Sequence, residues 1–105
     1  MAKNKPASRD YEAYLIERLK NPKNAAAYLQ AALEDTEMPE VFLLALRHVA
    51  EAHGMAKVAK SAKLNRESLY RMLSKKGNPE LGSLYALLNT LGFRLTVTTK
   101  TKQAA

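Results

Sequence analysis

Apolar positions recur along this chain at helical spacing. Tyr11, Tyr14, Leu15 and Leu19 stand at i, i+3, i+4 and i+8 and predict a first amphipathic helix. Asn21-Pro22 closes it and opens a second, because Asn accepts orphan amide protons as an N-cap and Pro fits the first helical position. That second helix carries Ala25, Tyr28, Leu29, Ala32 and Leu33 on one side. Its acidic end, Glu34-Asp35, opposes the helix dipole and predicts fraying near Thr36. A third helix from Pro39 to Ala52 has Val41, Phe42, Leu44, Ala45, Leu46 and Val49 on more than one face, the pattern of a central, buried element. Gly54 ends it.

Two shorter segments follow. Met55, Val58, Ala59 and Ala62 mark a two-turn helix over Met55–Ala62, and Leu69, Met72 and Leu73 mark another over Arg66–Leu73. The turn between them is Lys63-Leu64-Asn65. Leu81, Leu84, Tyr85, Leu88 and Leu91 predict a last helix that stops at Gly92. After it FRLTVT alternates apolar and polar residues, which is a strand pattern. A lone strand leaves its backbone groups unpaired, and no second strand is evident. The expectation is therefore a homodimer in which Phe93, Leu95 and Val97 pair with the same segment of a second copy. The fold expected is all-α, with extra N-terminal helices before a helix-turn-helix bundle and one short C-terminal strand. A basic arm over residues 1–8, one helical domain over 9–99 with the helix-turn-helix at 55–73, and a loose tail over 100–105 complete it.

Charge changes this picture from a bundle to a bundle with a purpose. Of the chain's 105 residues, those up to Gly54 hold seven Lys/Arg against eight Asp/Glu, whereas those from Met55 hold ten against two. A near-neutral half joined to a strongly basic half implies a surface for a polyanion. No cysteine is present, which excludes disulfides, thiolate metal sites and cysteine nucleophiles, and suits a cytoplasmic location. The start, MAKNKPASRD, lacks the apolar segment of a signal peptide, and VFLLAL at Val41–Leu46 is too short to span a bilayer, so no membrane association is expected.

Seven Lys or Arg and one Glu crowd into residues 54–79. A pair of two-turn helices with a three-residue turn suits DNA: the first crosses the phosphates while the second enters the major groove. Val58, Ala59, Leu64, Leu69 and Leu73 form its small core, and Asn65 caps the second helix. Outward residues are Arg66, Glu67, Ser68, Tyr70 and Arg71, of which Arg pairs bidentately with guanine and Glu accepts from cytosine. Lys57, Lys60, Lys63, Lys75 and Lys76 flank them and suit phosphate contacts. The plainer alternatives are a solvated lysine face, a Glu67–Arg71 pair one turn apart, and Tyr70 packed beside the following loop.

Met55–Leu95 resembles the phage-repressor-like (Xre-type) helix-turn-helix family, including the GNP turn at Gly77–Pro79 and LGF at Leu91–Phe93. Over most of the chain, DYEAYLIERLKNPKNAAAYLQAALED, the FLLALRHVAEAHGMAKVAKSAKLNRESLYRMLSKKGNPEL core and the NTLGFRL tail look like addiction-module antidote (antitoxin) proteins. The resemblance implies an antitoxin that neutralises a toxin of the RelE/ParE-type superfamily and binds operator DNA to repress its own operon. Two positions depart from the repressor-like pattern. The usual turn Gly is Lys63, so a non-Gly residue has to take a positive φ, and the polar residue that often opens the first motif helix is Met55.

Other chemistry is thin. His48 and His53 are five apart and do not share a helix face for zinc, so no metal and no cofactor are expected. Tyr11, Tyr14 and Tyr28 lie in stripes with leucines and read as core. No phosphate loop or nucleophile-base pair occurs, and the chain is not expected to be an enzyme. A stand-alone transcriptional repressor and an RNA- or protein-interaction module are the alternatives to an antitoxin. For the toxin, the acidic run Glu34, Asp35, Glu37 and Glu40 is the expected contact, with Lys3–Arg9 as an arm; the plainer alternative is that the first two helices only enlarge the core.

Overall fold

The computed structural model describes residues 4–34 and 37–100, with side chains from Asp10 onward. Six helices occur in the described chain: α1 (Asn4–Arg18), α2 (Pro22–Leu33), α3 (Pro39–His53), α4 (Met55–Ala62), α5 (Arg66–Met72) and α6 (Leu81–Thr90). All six expected helices are present. Asp35 of the acidic run lies outside the described residues, as do residues 1–3 of the arm and 101–105 of the tail. The helix α1 starts at Asn4, ahead of the domain boundary expected at residue 9.

Local rules account for most ends. Asn21 Oδ1 accepts from the amides of Lys23 and Asn24 at 2.9 and 3.3 Å, with Pro22 beside it at the start of α2. Gly54 joins α3 to α4 alone. Its N–H donates to the carbonyls of Ala50 and Glu51, its carbonyl accepts from Val58, and its φ is 101°. The end of α6 is a Schellman motif: Phe93 N donates to Leu88 O, Gly92 N to Asn89 O, and Gly92 takes φ 90°.

Packing runs largely between neighbours in sequence. Both α1 and α2 rest on α3, α3 rests on α4, and α4 holds α5 and α6. Five residues of α3 (Leu43, Ala45, Leu46, Val49 and Ala50) are buried, which fits its expected central place, although Leu44 faces solvent. Burying a side chain the size of Leu46, Leu69 or Leu87 contributes about 1.5–3 kcal/mol each, so this shared core holds α4 and α5 to the rest.

Two expectations are corrected. Tyr11 and Tyr14 are 63% and 58% exposed, not core. Of the expected stripe only its later half meets the core: Leu15 is half-buried against it and Leu19 is sealed within it. Residues 93–100 form no strand, and no strand occurs among the described residues. The physical reason is that extended backbone is held by a ladder partner, and the described residues offer none.

Candidate nucleic-acid interface

The helix-turn-helix is built by small rules acting together. In the turn, Leu64 N donates to Ala59 O at 2.8 Å and Lys63 N to Lys60 O at 3.1 Å, a second Schellman motif. Its left-handed residue is Lys63, with φ 60° and ψ 41°, so the non-glycine positive φ expected there is observed. The side chain of Leu64 then packs on the core beside the turn. Asn65 Oδ1 accepts from the amides of Glu67 and Ser68 at 2.7 and 3.2 Å and starts α5. Val58, Ala59, Leu69 and Leu73 are buried between the helices, and α5 ends one residue earlier than expected, with Leu73 as its cap.

Among the sequence-derived residues, direct side-chain contacts join Ser68 to Arg71 and Arg66 to Tyr70. Lys57 and Lys60 on α4, Lys63 in the turn, Arg66, Glu67 and Arg71 on α5, and Lys75 and Lys76 beyond it are all exposed. Asn65 is exposed too, but its carboxamide oxygen is committed to the cap. Ser68 is half-buried and accepts from the Arg71 guanidinium at 3.3 Å, so Arg71 is not paired with Glu67. Ion pairs among the described residues join Lys20 to Glu17 and Arg47 to Glu51, the Glu12 carboxylate lies 3.8 Å from His48 Nε2, and none of these contacts includes the seven cations of the motif. An open cleft of about 540 Å³ runs at the foot of α5, lined by Leu64, Ser68, Arg71, Lys76, Asn78 and Ser83. Exposed charge without carboxylate partners is free to neutralise phosphates, and guanidinium groups on a short helix can reach base edges.

Tyr70 does not lie against the following loop alone. Its ring has the Arg66 guanidinium 5.8 Å from its centroid and the Arg47 guanidinium, from α3, at 5.3 Å. Arg47 was absent from the sequence-derived set. Its (i, i+4) partner Glu51 was legible, but its approach to Tyr70 depends on how α3 meets α5.

The two histidines are structural. His48 Nδ1 and the Tyr28 hydroxyl form a 2.7 Å hydrogen bond, and His53 Nδ1 lies 3.2 Å from the Val49 carbonyl. Burial, and secondarily the neighbouring Tyr11, push the Tyr28 hydroxyl above its ordinary value of 10.0. Among the described residues no cluster of three acidic or histidine side chains is placed to hold a metal ion. No described helix is long and apolar enough to cross a membrane.

Comparison with known proteins supplies what geometry alone does not. The family model described as "probable addiction module antidote protein" matches residues 11–99. The chain belongs to the addiction-module antidote family. An uncharacterised protein of Haemophilus influenzae is similar to it, 31% identical over 83 residues that cover 79% of this chain and 84% of that one. No solved structure matches. Membership implies a toxin as partner, and antidote proteins are not in general enzymes. The match spans both halves of the chain, so the N-terminal helices and the helix-turn-helix belong to one family unit.

Proposed function

We propose that this antidote binds operator duplex DNA through α4 and α5, represses its own operon, and neutralises a RelE/ParE-type toxin through its N-terminal half. The observation that carries the DNA reading is the capped, Schellman-turned helix pair presenting Lys57, Lys60, Lys63, Arg66, Arg71, Lys75 and Lys76 to solvent with no acidic partner among the described residues. The family match favours an antitoxin over a stand-alone repressor. For the test, Arg66→Ala is expected to cost about 1–3 kcal/mol on a selected duplex and to relax one base position. Lys75→Ala or Lys76→Ala is expected to weaken all duplexes alike and to reduce the salt slope by about 0.9 each. Equal binding of operator and random DNA by the parent and by Arg66→Ala would sink the assignment of α5 as the reading helix.

Two further parts of the proposal follow from the surface. Glu34, Glu37 and Glu40 border the start of α3, and with Asp35 they make the acidic contact proposed for the toxin. Charge reversal of Glu37 and Glu40, tested by co-purification with the product of the adjacent gene, is expected to release the toxin while DNA binding is kept. A homodimer is proposed through Phe93, Leu95 and Val97. Val97 is 97% exposed, and a cleft of about 470 Å³ between this segment and α6 is lined by Tyr85, Leu88, Phe93 and Leu95. Two copies would present two reading helices to half-sites about one helical turn apart. Sedimentation of the parent as a monomer at micromolar concentration would refute it, and Leu95→Pro is expected to dissociate the dimer.

A further inference from the structure

The geometry points to Tyr70 as a positioning residue that holds the Arg66 guanidinium for base reading, braced from the central helix by Arg47. This rests on the DNA-binding reading proposed above, and deepens it. Arg66 is the first residue of α5 and Tyr70 stands one turn on, so the two side chains lie on the same stripe. Arg66 is exposed, and an exposed arginine otherwise samples many rotamers, each of which must be given up on binding. The ring face under its guanidinium, at 5.8 Å from the centroid, limits that freedom before DNA arrives.

The ring is itself held. Tyr70 is half-buried, packs on the hydrophobic core, and has Arg47 at 5.3 Å. Two guanidinium groups on one ring repel each other. That repulsion is reduced on one side only, because Glu51 takes the Arg47 Nε at 3.5 Å while Arg66 has no carboxylate among the described residues. The charge of Arg47 is thus partnered within the chain by a half-exposed carboxylate, and that of Arg66 is left for an anion or a base edge. The arrangement runs Glu51, Arg47, Tyr70, Arg66, from α3 to the tip of α5, and makes the orientation of the reading arginine a property of the core.

A ring that positions Arg66 differs from a tyrosine that contacts a base through its hydroxyl, and substitutions separate the two. The measurement is the affinity ratio between a duplex selected from a randomised library and an unselected duplex, over a series of salt concentrations, using the full chain. Tyr70→Phe keeps the ring face and is expected to keep the ratio. Tyr70→Leu keeps apolar volume without the ring face and is expected to lower the ratio roughly threefold to tenfold, with the salt slope unchanged because no phosphate contact is lost. In an Arg66→Ala background, Tyr70→Leu is expected to have no further effect on the ratio. Circular dichroism of each variant checks that α5 is intact. A ratio lowered by Tyr70→Phe, or an equal loss from Tyr70→Leu with and without Arg66, overturns the positioning role and leaves the DNA reading standing. A parent chain with no preference for any duplex overturns both.

Discussion

Lys63→Gly is expected to stabilise the protein while weakening the DNA binding proposed for it. At φ 60° and ψ 41°, Lys63 occupies a left-handed conformation that costs an ordinary L-residue about 1–2 kcal/mol. Glycine removes that cost but has more freedom to lose on folding, which offsets about 0.5–1 kcal/mol. The turn's hydrogen bonds, Leu64 N to Ala59 O and Lys63 N to Lys60 O, use backbone atoms only and survive the change. The net gain is about 0.75 kcal/mol at the centre of these ranges and at most about 1.5, the central value being roughly 3–6 °C in melting temperature for a domain of this size. Lys63→Ala is the control, since it removes the same charge but keeps a Cβ in the left-handed region. Thermal and urea unfolding should rank Gly above both Lys and Ala, and both variants should lose about 0.9 in salt slope if Lys63 meets a phosphate. Should Lys63→Gly prove no more stable than Lys63→Ala, the strain assigned to this turn is not there.

Glycine has a different meaning at two other positions. A Cβ on Gly77 would overlap the Met72 carbonyl oxygen and lie 2.7 Å from its carbon, so Gly77→Ala is expected to cost about 1–3 kcal/mol by urea unfolding. Gly82, in the first turn of α6, has nothing within 4 Å of such a Cβ, and Gly82→Ala is expected to gain about 0.4–1 kcal/mol. Tyr28→Phe removes the 2.7 Å bond to His48 and is expected to cost about 0.5–1.5 kcal/mol near neutral pH. Because burial raises the folded-state value of Tyr28, the unfolded chain loses this proton first as pH rises past about 10. The parent therefore loses stability in that window, and its advantage over Tyr28→Phe, followed by unfolding at each pH, is expected to shrink there.

What could be read from the residues was what local geometry governs. Asn21 and Asn65 cap helices because their carboxamides reach amides two and three residues on, and nothing distant is needed. Lys63 stands where repressor-like turns usually have Gly, and its φ of 60° is what that resemblance implied. Leu69 and Leu73, one turn apart, bury together as any stripe of that spacing does. Tyr11 and Tyr14 fall on the other side of this line. The tyrosines share a helical stripe with Leu15 and Leu19, and only the packing of α1 on α3 decides that the leucines meet the core while the tyrosines stay exposed. Arg47 and Tyr70 are joined across two helices, so no local pattern could pair them. The C-terminal alternation of Phe93, Leu95 and Val97 states a preference for extended backbone, but a ladder requires a partner, and no strand lies among the described residues.

Gly54 makes the length of α3 a gear setting. Because its N–H closes the ladder of α3 and its carbonyl opens that of α4, no slack lies between the two helices to absorb an added or missing residue. One residue inserted near the end of α3 would swing everything after it by about 100° and advance it about 1.5 Å. The motif would still fold its own turn and cap, yet its cationic side would point elsewhere relative to Glu37, Glu40 and the N-terminal helices. A change of length here is thus a change of aim, so the angle between the basic face and the acidic one is inherited through a single residue count.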